Sequence, residues 1–181
     1  MSNAMSILMN DHEAILSALD VFSRILAKLQ GSSQADVDEL QHFIDFLKEF
    51  ADKCHHGKEE GLLFPTMIAF GLPDRGGPIG VMMAEHIQGR GFIHDMQEAL
   101  EAEPLDLAAF DQAGHKYIQL LQAHIQKENA VLFPMADKLI PHTDLDRLAV
   151  AFEEHEEKVI GHGRHAELHA LLDQLHTKYP A

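Results

Sequence analysis

Two stretches of the chain place a glutamate four residues after a histidine. His55 and Glu59 lie in CHHGKEEGLLFP, which begins at Cys54, and His124 and Glu128 lie in HIQKENAVLFP. On a helix this spacing sets an imidazole and a carboxylate on one face, one turn apart. The two stretches superpose at a 69-residue offset. Besides the His and Glu, Leu63, Phe64 and Pro65 then fall on Leu132, Phe133 and Pro134. Imidazole nitrogens and carboxylate oxygens are ligands for first-row metals. Two such pairs in one small chain point to a two-metal site.

Helices must hold these residues. Ile7, Leu8, Ile15, Leu19, Phe22, Ile25, Leu26 and Leu29 recur at three- and four-residue steps, and Gly31-Ser32-Ser33 stops that helix. A second helix is expected over about 36–68. Residues 70–80 carry four Gly and two Pro and read as a loop. Further helices are expected over about 80–101, 105–138 and 145–179, the last interrupted at Gly161 and Gly163. Pro65 and Pro134 are expected to kink or close their helices. No segment alternates like a strand. Short connections favour antiparallel neighbours, so the fold class is all-α, an up-down-up-down four-helix bundle with an extra C-terminal helical segment. Met1 to Ala4 read as an expression-tag remnant, 5–140 as the bundle and 141–181 as a C-terminal extension of the same domain.

At ~1.5 Å per residue, His12 and His55 both come out roughly 27–29 Å from the turn joining their helices. His86 and His124 come out roughly 23–27 Å from theirs. Each hairpin thus sets a lone His level with a His-x-x-x-Glu pair, and stacking the hairpins brings four His and two Glu to one layer. That donor set suits two first-row ions, iron above all, with carboxylates bridging and a coordination position left open.

Composition narrows the alternatives. The chain has 181 residues, 46% of them apolar, enough for one domain with a core. The formal charge of −15 argues against nucleic acid and anionic membrane as partners. No apolar run reaches the ~20 residues of a membrane span, and no secretory signal is visible. The single Cys excludes an internal disulfide and a thiolate zinc site and fits a cytoplasmic location. A ferritin-type centre needs two Glu-x-x-His motifs, and only Glu39-x-x-His42 occurs.

The order His, His-x-x-x-Glu, His, His-x-x-x-Glu, with Asp11-His12-Glu13, HHGKEEGLLFP, GGPIGVMMAEH and HIQKENAVLFP, resembles the hemerythrin-like, or HHE cation-binding, domain of bacterial type. The resemblance covers residues 5 to about 140. It implies a four-helix bundle around a non-haem di-iron centre bridged by carboxylates and an oxo or hydroxo group. It makes His12, His55, His86 and His124 the ligand histidines and Glu59 and Glu128 the bridging carboxylates. His56 is a candidate seventh ligand, its alternative being a hydrogen bond on the flank. Oxygen-carrying members use a His where this chain has Arg90 and an Asp where it has Asn129, which weighs against reversible oxygen carriage. The resemblance implies a small ligand, oxygen, nitric oxide or peroxide, and leaves three roles open. They are binding or sensing a diatomic ligand or handling iron, enzymatic peroxide or nitric oxide reduction or iron–sulfur cluster repair, and a purely structural metal.

Glu60 is expected beside the ligands rather than among them, and Glu85 in a salt bridge. Tyr117 is expected in the core, within reach of a bridging ligand. Cys54 reads as a free thiol, and Phe64 and Phe133 as core or pocket wall. Met82, Met83 and Met96 read as core. His155, His162, His169 and His176 recur every seven residues, with His165 between them. A solvated face is the expected reading of that stripe, a surface metal site or pH-sensitive interface the alternative. The C-terminal region is expected to pack across the bundle or to form a homodimer.

Overall fold

The computed structural model describes residues 1–30, 36–161 and 163–180. Six helical rods account for nearly all of them. We number these α1 (Asn3–Gln30), α2 (37–69), α3 (Gly77–Glu101), α4 (107–139), α5 (His142–Val159) and α6 (Arg164–Lys178). The boundaries fall close to those expected from the periodicity, and the architecture is the all-α bundle the pattern requires.

Local chemistry fixes the ends. The Met5 amide donates to Ser2 Oγ at the start of α1. Asp36 accepts from the Glu39 amide at the start of α2, and Asp106 from the Ala109 amide at the start of α4. The third helix starts at Gly77, three residues earlier than expected, because Gly76 (φ 72°) turns the chain and Pro78 then suits a first turn. Residues 1–4, set aside as a tag remnant, take part in the fold. Ala4 is buried and Ser2 Oγ donates to Asp137 at 2.6 Å.

Neighbouring helices run antiparallel. Along α1 and α2, His12 meets His55 and Phe22 meets Phe43. Along α2 and α3, Lys48 meets Gln97 and Glu60 meets His86. Along α1 and α4, Phe22 meets Phe110 and His12 meets Asn129. The C-terminal pair lies along α1 and α2. His155 Nε2 meets the Lys53 carbonyl, Arg164 pairs with Glu49, and Tyr179 and Lys178 both reach Glu39. The region therefore packs across the bundle.

The apolar core is split in two. One cluster, built around Phe22, Phe43, Phe50 and Phe110, fills the end near the α1–α2 connection. The other, built around Met5, Phe64, Phe133 and Phe152, fills the opposite end. Between them His12, His55, His56, Lys58, Glu59, His86, His124 and Glu128 are buried together. Buried polar groups need partners, so this layer must be bonded internally or bind something.

Candidate metal centre

Local backbone geometry marks the repeat in both halves. The Phe64 amide bonds to the Glu59 carbonyl, and the Phe133 amide to the Glu128 carbonyl, each a five-residue π-type reach. The next residue in each case is Pro, which has no N–H and whose ring would crowd the carbonyl four residues back. Widening the turn accommodates it. Both helices accordingly continue past Pro65 and Pro134, to Ala69 and Leu139, rather than closing there.

The layer contains two groups of convergent donor atoms. One is His12, His55, Glu59 and Glu128, and the other is His56, Glu59, His86 and His124. Within each group the donor atoms lie within 4.8 Å of one another. Glu59 belongs to both, with Oε1 3.5 Å from His55 Nε2 and Oε2 3.4 Å from His86 Nε2. Glu128 Oε2 likewise lies 3.2 Å from both His12 Nε2 and His124 Nε2. The six side chains singled out by spacing, and His56, the candidate seventh from the resemblance, are thus brought to one layer.

The outer nitrogens explain how the rings are held. Each Nδ1 faces an oxygen: His12 to Asn129 (2.8 Å), His55 to Asp11 (3.1 Å), His56 to Asp52 (3.4 Å), His86 to Glu60 (2.7 Å) and His124 to Glu85 (2.9 Å). These oxygens only accept, so in the neutral tautomer the proton sits on Nδ1 and the bare Nε2 turns inward. His12, His55 and His56 Nε2 and all four carboxylate oxygens of Glu59 and Glu128 have no hydrogen-bond partner. His86 Nε2 and His124 Nε2 lie 3.1 Å apart. Two bare nitrogens at that distance repel unless a proton or a metal lies between them. About 3 Å is also the separation of adjacent donors on an ion bonded at about 2.1 Å.

Electrostatics agree. Burial, and then the neighbouring imidazoles of His12 and His56, hold His55 well below its usual pKa; burial brings His56 down to about 4. Burial also lowers His86. Imidazoles held neutral are ready to ligate. His124 is the exception, because Glu128 and Glu85 outweigh its burial and raise it. Burial and then the Glu128 carboxylate push Glu59 well above the carboxylate range. For Glu128, the His12 and His124 rings 3.2 Å away overcome burial and hold it well below. Two adjacent buried carboxylates cannot both ionise unaided, and a cation between them removes the conflict.

The remaining expectations sort clearly. Glu60 braces His86 and also binds Arg90, which binds Asp52. Glu85 does form a salt bridge, with Lys127, and it braces His124 as well. Phe133 stacks on His12 at 5.2 Å, and Phe64 on His86 at 5.9 Å, so the repeated Phe residues wall the layer. Tyr117 is buried with its hydroxyl pKa raised by desolvation. It lines a cavity of ≈250 Å³ with His56, Asp52 and Arg90. Cys54 is a free, buried thiol, pushed up to about 12 by burial. Met82 and Met96 are buried, and Met83 packs at the core edge. In the C-terminal stripe, His155 meets Lys53 and His176 meets Ser17 Oγ at 2.6 Å. His162 lies outside the described residues.

Spacing alone passes over Asp11, Asp52 and Asn129 as braces. It also passes over a sixth match at the same offset, Lys58 with Lys127. Lys58 Nζ lies 2.7 Å from Asp11, and Lys127 pairs with Glu85. The braces themselves follow the repeat. The residue before each lone His, Asp11 or Glu85, holds the motif His of its own hairpin. The residue after each Glu, Glu60 or Asn129, holds a lone His.

The fold and donor set define a cation-binding helical bundle. Residues 3–136 match the family model of the hemerythrin HHE cation-binding domain, and the chain belongs to that family. Similar curated proteins are uncharacterised proteins of Mycobacterium bovis and of two strains of Mycobacterium tuberculosis. Each is 24% identical over 163 residues, covering 85% of this chain and 61% of the relative. The chain therefore spans about three-fifths of the length of the curated relatives it matches. No solved structure matches the chain. Among the described residues no helix is long and apolar enough to cross a membrane.

Proposed function

We propose that the protein holds two iron ions in this layer and uses them to bind a diatomic ligand, oxygen or nitric oxide. The observation that carries the reading is the set of buried, unpartnered donor atoms in two groups that share Glu59. His12 and His55 would hold one ion, and His56, His86 and His124 the other, with Glu59 and Glu128 bridging. Nitrogen and oxygen donors without a thiolate suit iron. Bound ferrous iron supplies an electron-rich, coordinatively open centre for such a ligand.

Donor count gives the two positions different roles. Because Glu128 also approaches His124, three imidazoles and two carboxylates would nearly saturate one ion. Two imidazoles and the same carboxylates would leave the other short, so the open position would belong beside His12 and His55. Phe133, stacked on His12, keeps water from that side, where a low-dielectric surround strengthens polar interactions with the ligand.

The test is elemental analysis of untagged protein from iron-supplemented cells, followed by anaerobic titration with nitric oxide. About two irons per chain and a new absorption band saturating at one nitric oxide per iron pair are expected. Zinc alone, or one ion per chain, would sink the reading.

A further inference from the structure

The two lysines at matching positions of the repeat stand in unequal surroundings. Lys58 is fully buried, whereas the Lys127 side chain is 42% exposed. The difference is made by α5, which begins at His142, beyond the family match that ends at residue 136. Glu156 of α5 lies 3.4 Å from Lys58 Nζ. The result is a continuous charged line from the surface inward. It runs from Glu156 to Lys58, on to Asp11 at 2.7 Å, and then to His55 Nδ1, 3.1 Å from the same Asp11 oxygen. On the other side, Lys127 and Glu85 brace His124 in partial contact with solvent.

We infer that Lys58, closed over by α5, is a positioning residue that sets the reduction potential of the metal held by His12 and His55, with Glu156 acting on it in the opposite sense. The inference rests on the di-iron reading. Its physics is that of a charge in a dry place. A buried cation this close favours the lower oxidation state, and burial keeps water from screening it. By binding Asp11, Lys58 also draws negative charge away from the His55 N–H, which makes the ring a weaker donor. Glu156 partly offsets the Lys58 charge. Lys127, in higher dielectric, acts weakly.

The experiment compares iron-loaded wild type with Lys58→Met, Lys127→Met and Glu156→Gln by spectroelectrochemical titration, alongside metal analysis of each. With iron content unchanged, Lys58→Met should move the midpoint potential down and Glu156→Gln should move it up. Lys127→Met should move it less than Lys58→Met does. A role confined to packing would move both α5-side variants the same way or not at all, and either result overturns the inference. If Lys58→Met does not fold, Glu156→Gln decides alone, and an unshifted potential overturns it. Wild type without a redox-active metal overturns the di-iron reading, and this inference falls with it. Wild type with iron but unmoved potentials overturns only the inference.

Discussion

In the first hairpin, α1 and α2, the brace on the motif histidine is capped by Lys58 and sealed beneath α5. In the second, α3 and α4, the same brace ends on Lys127 in solvent. The donors differ as well. His56 in the first motif has Ile125 as its counterpart in the second, and His56 turns toward His86 and His124 across the layer, stacked on His86 at 3.9 Å. A nearly twofold scaffold thus gives an uneven site. The extra imidazole goes to the group that borders the cavity, and the group with fewer imidazoles lies beneath α5. Unequal surroundings for the two donor groups therefore need only one added imidazole and one added helix.

The shared carboxylates are where that comparison is easiest to break. Glu59→Ala or Glu128→Ala should remove both ions, because each residue reaches both groups; metal analysis that still finds a full complement would end the bridging assignment. His56→Ala should be selective, lowering the metal content by about half and sparing the ion at His12 and His55. Loss of both ions, or of neither, would show that the two groups are not separable. Among the braces, Asp52→Asn and Glu85→Gln should each weaken metal affinity by about 10–100-fold. Competition with a chelator measures this, and unchanged affinity would mean the outer oxygens do not hold the rings.

Much of this is written in helical spacing. The bundle, its helix boundaries and the layer of His12, His55, Glu59, His86, His124 and Glu128 follow from period and offset, because a helix converts sequence distance into depth directly. The braces do not. Asp11, Asp52 and Asn129 are ordinary polar residues whose role depends on which neighbouring helix they face, and that is settled by packing. His56 is intermediate. Its place beside His55 is plain, but whether it points inward depends on helix rotation, and the π-type turns of this stretch alter that rotation. Lys58 looks like a surface residue until α5 covers it.

Metal-free protein should show the strain of the empty layer as a pH dependence. His55 and His56 have depressed pKa values in the fold, so their contribution is present above the unfolded value of 6.5 and is lost as pH falls toward about 4, the His56 value. Glu59 is raised, so its contribution is present below 4.5 and is lost as pH rises through its folded value. Thermal melts of the metal-free protein should therefore show a maximum between these limbs. Glu59→Gln should flatten the alkaline limb and raise the melting temperature there, while still abolishing metal binding. An alkaline limb unchanged by that substitution would remove Glu59 as its source.

The smallest effect belongs to the C-terminal histidines. His155 lies on α5, close to Lys58 in space, but its Nε2 meets a backbone carbonyl and its ring packs over Gly57. His155→Ala removes one hydrogen bond and some packing, roughly 1 kcal/mol, and leaves Glu156, Lys58 and Asp11 in place. Metal content and potential should both match wild type, so this variant separates the presence of α5 from the charge it carries. If His155→Ala shifted the potential as far as Glu156→Gln does, the seat of α5 rather than its carboxylate would be what distinguishes the two halves.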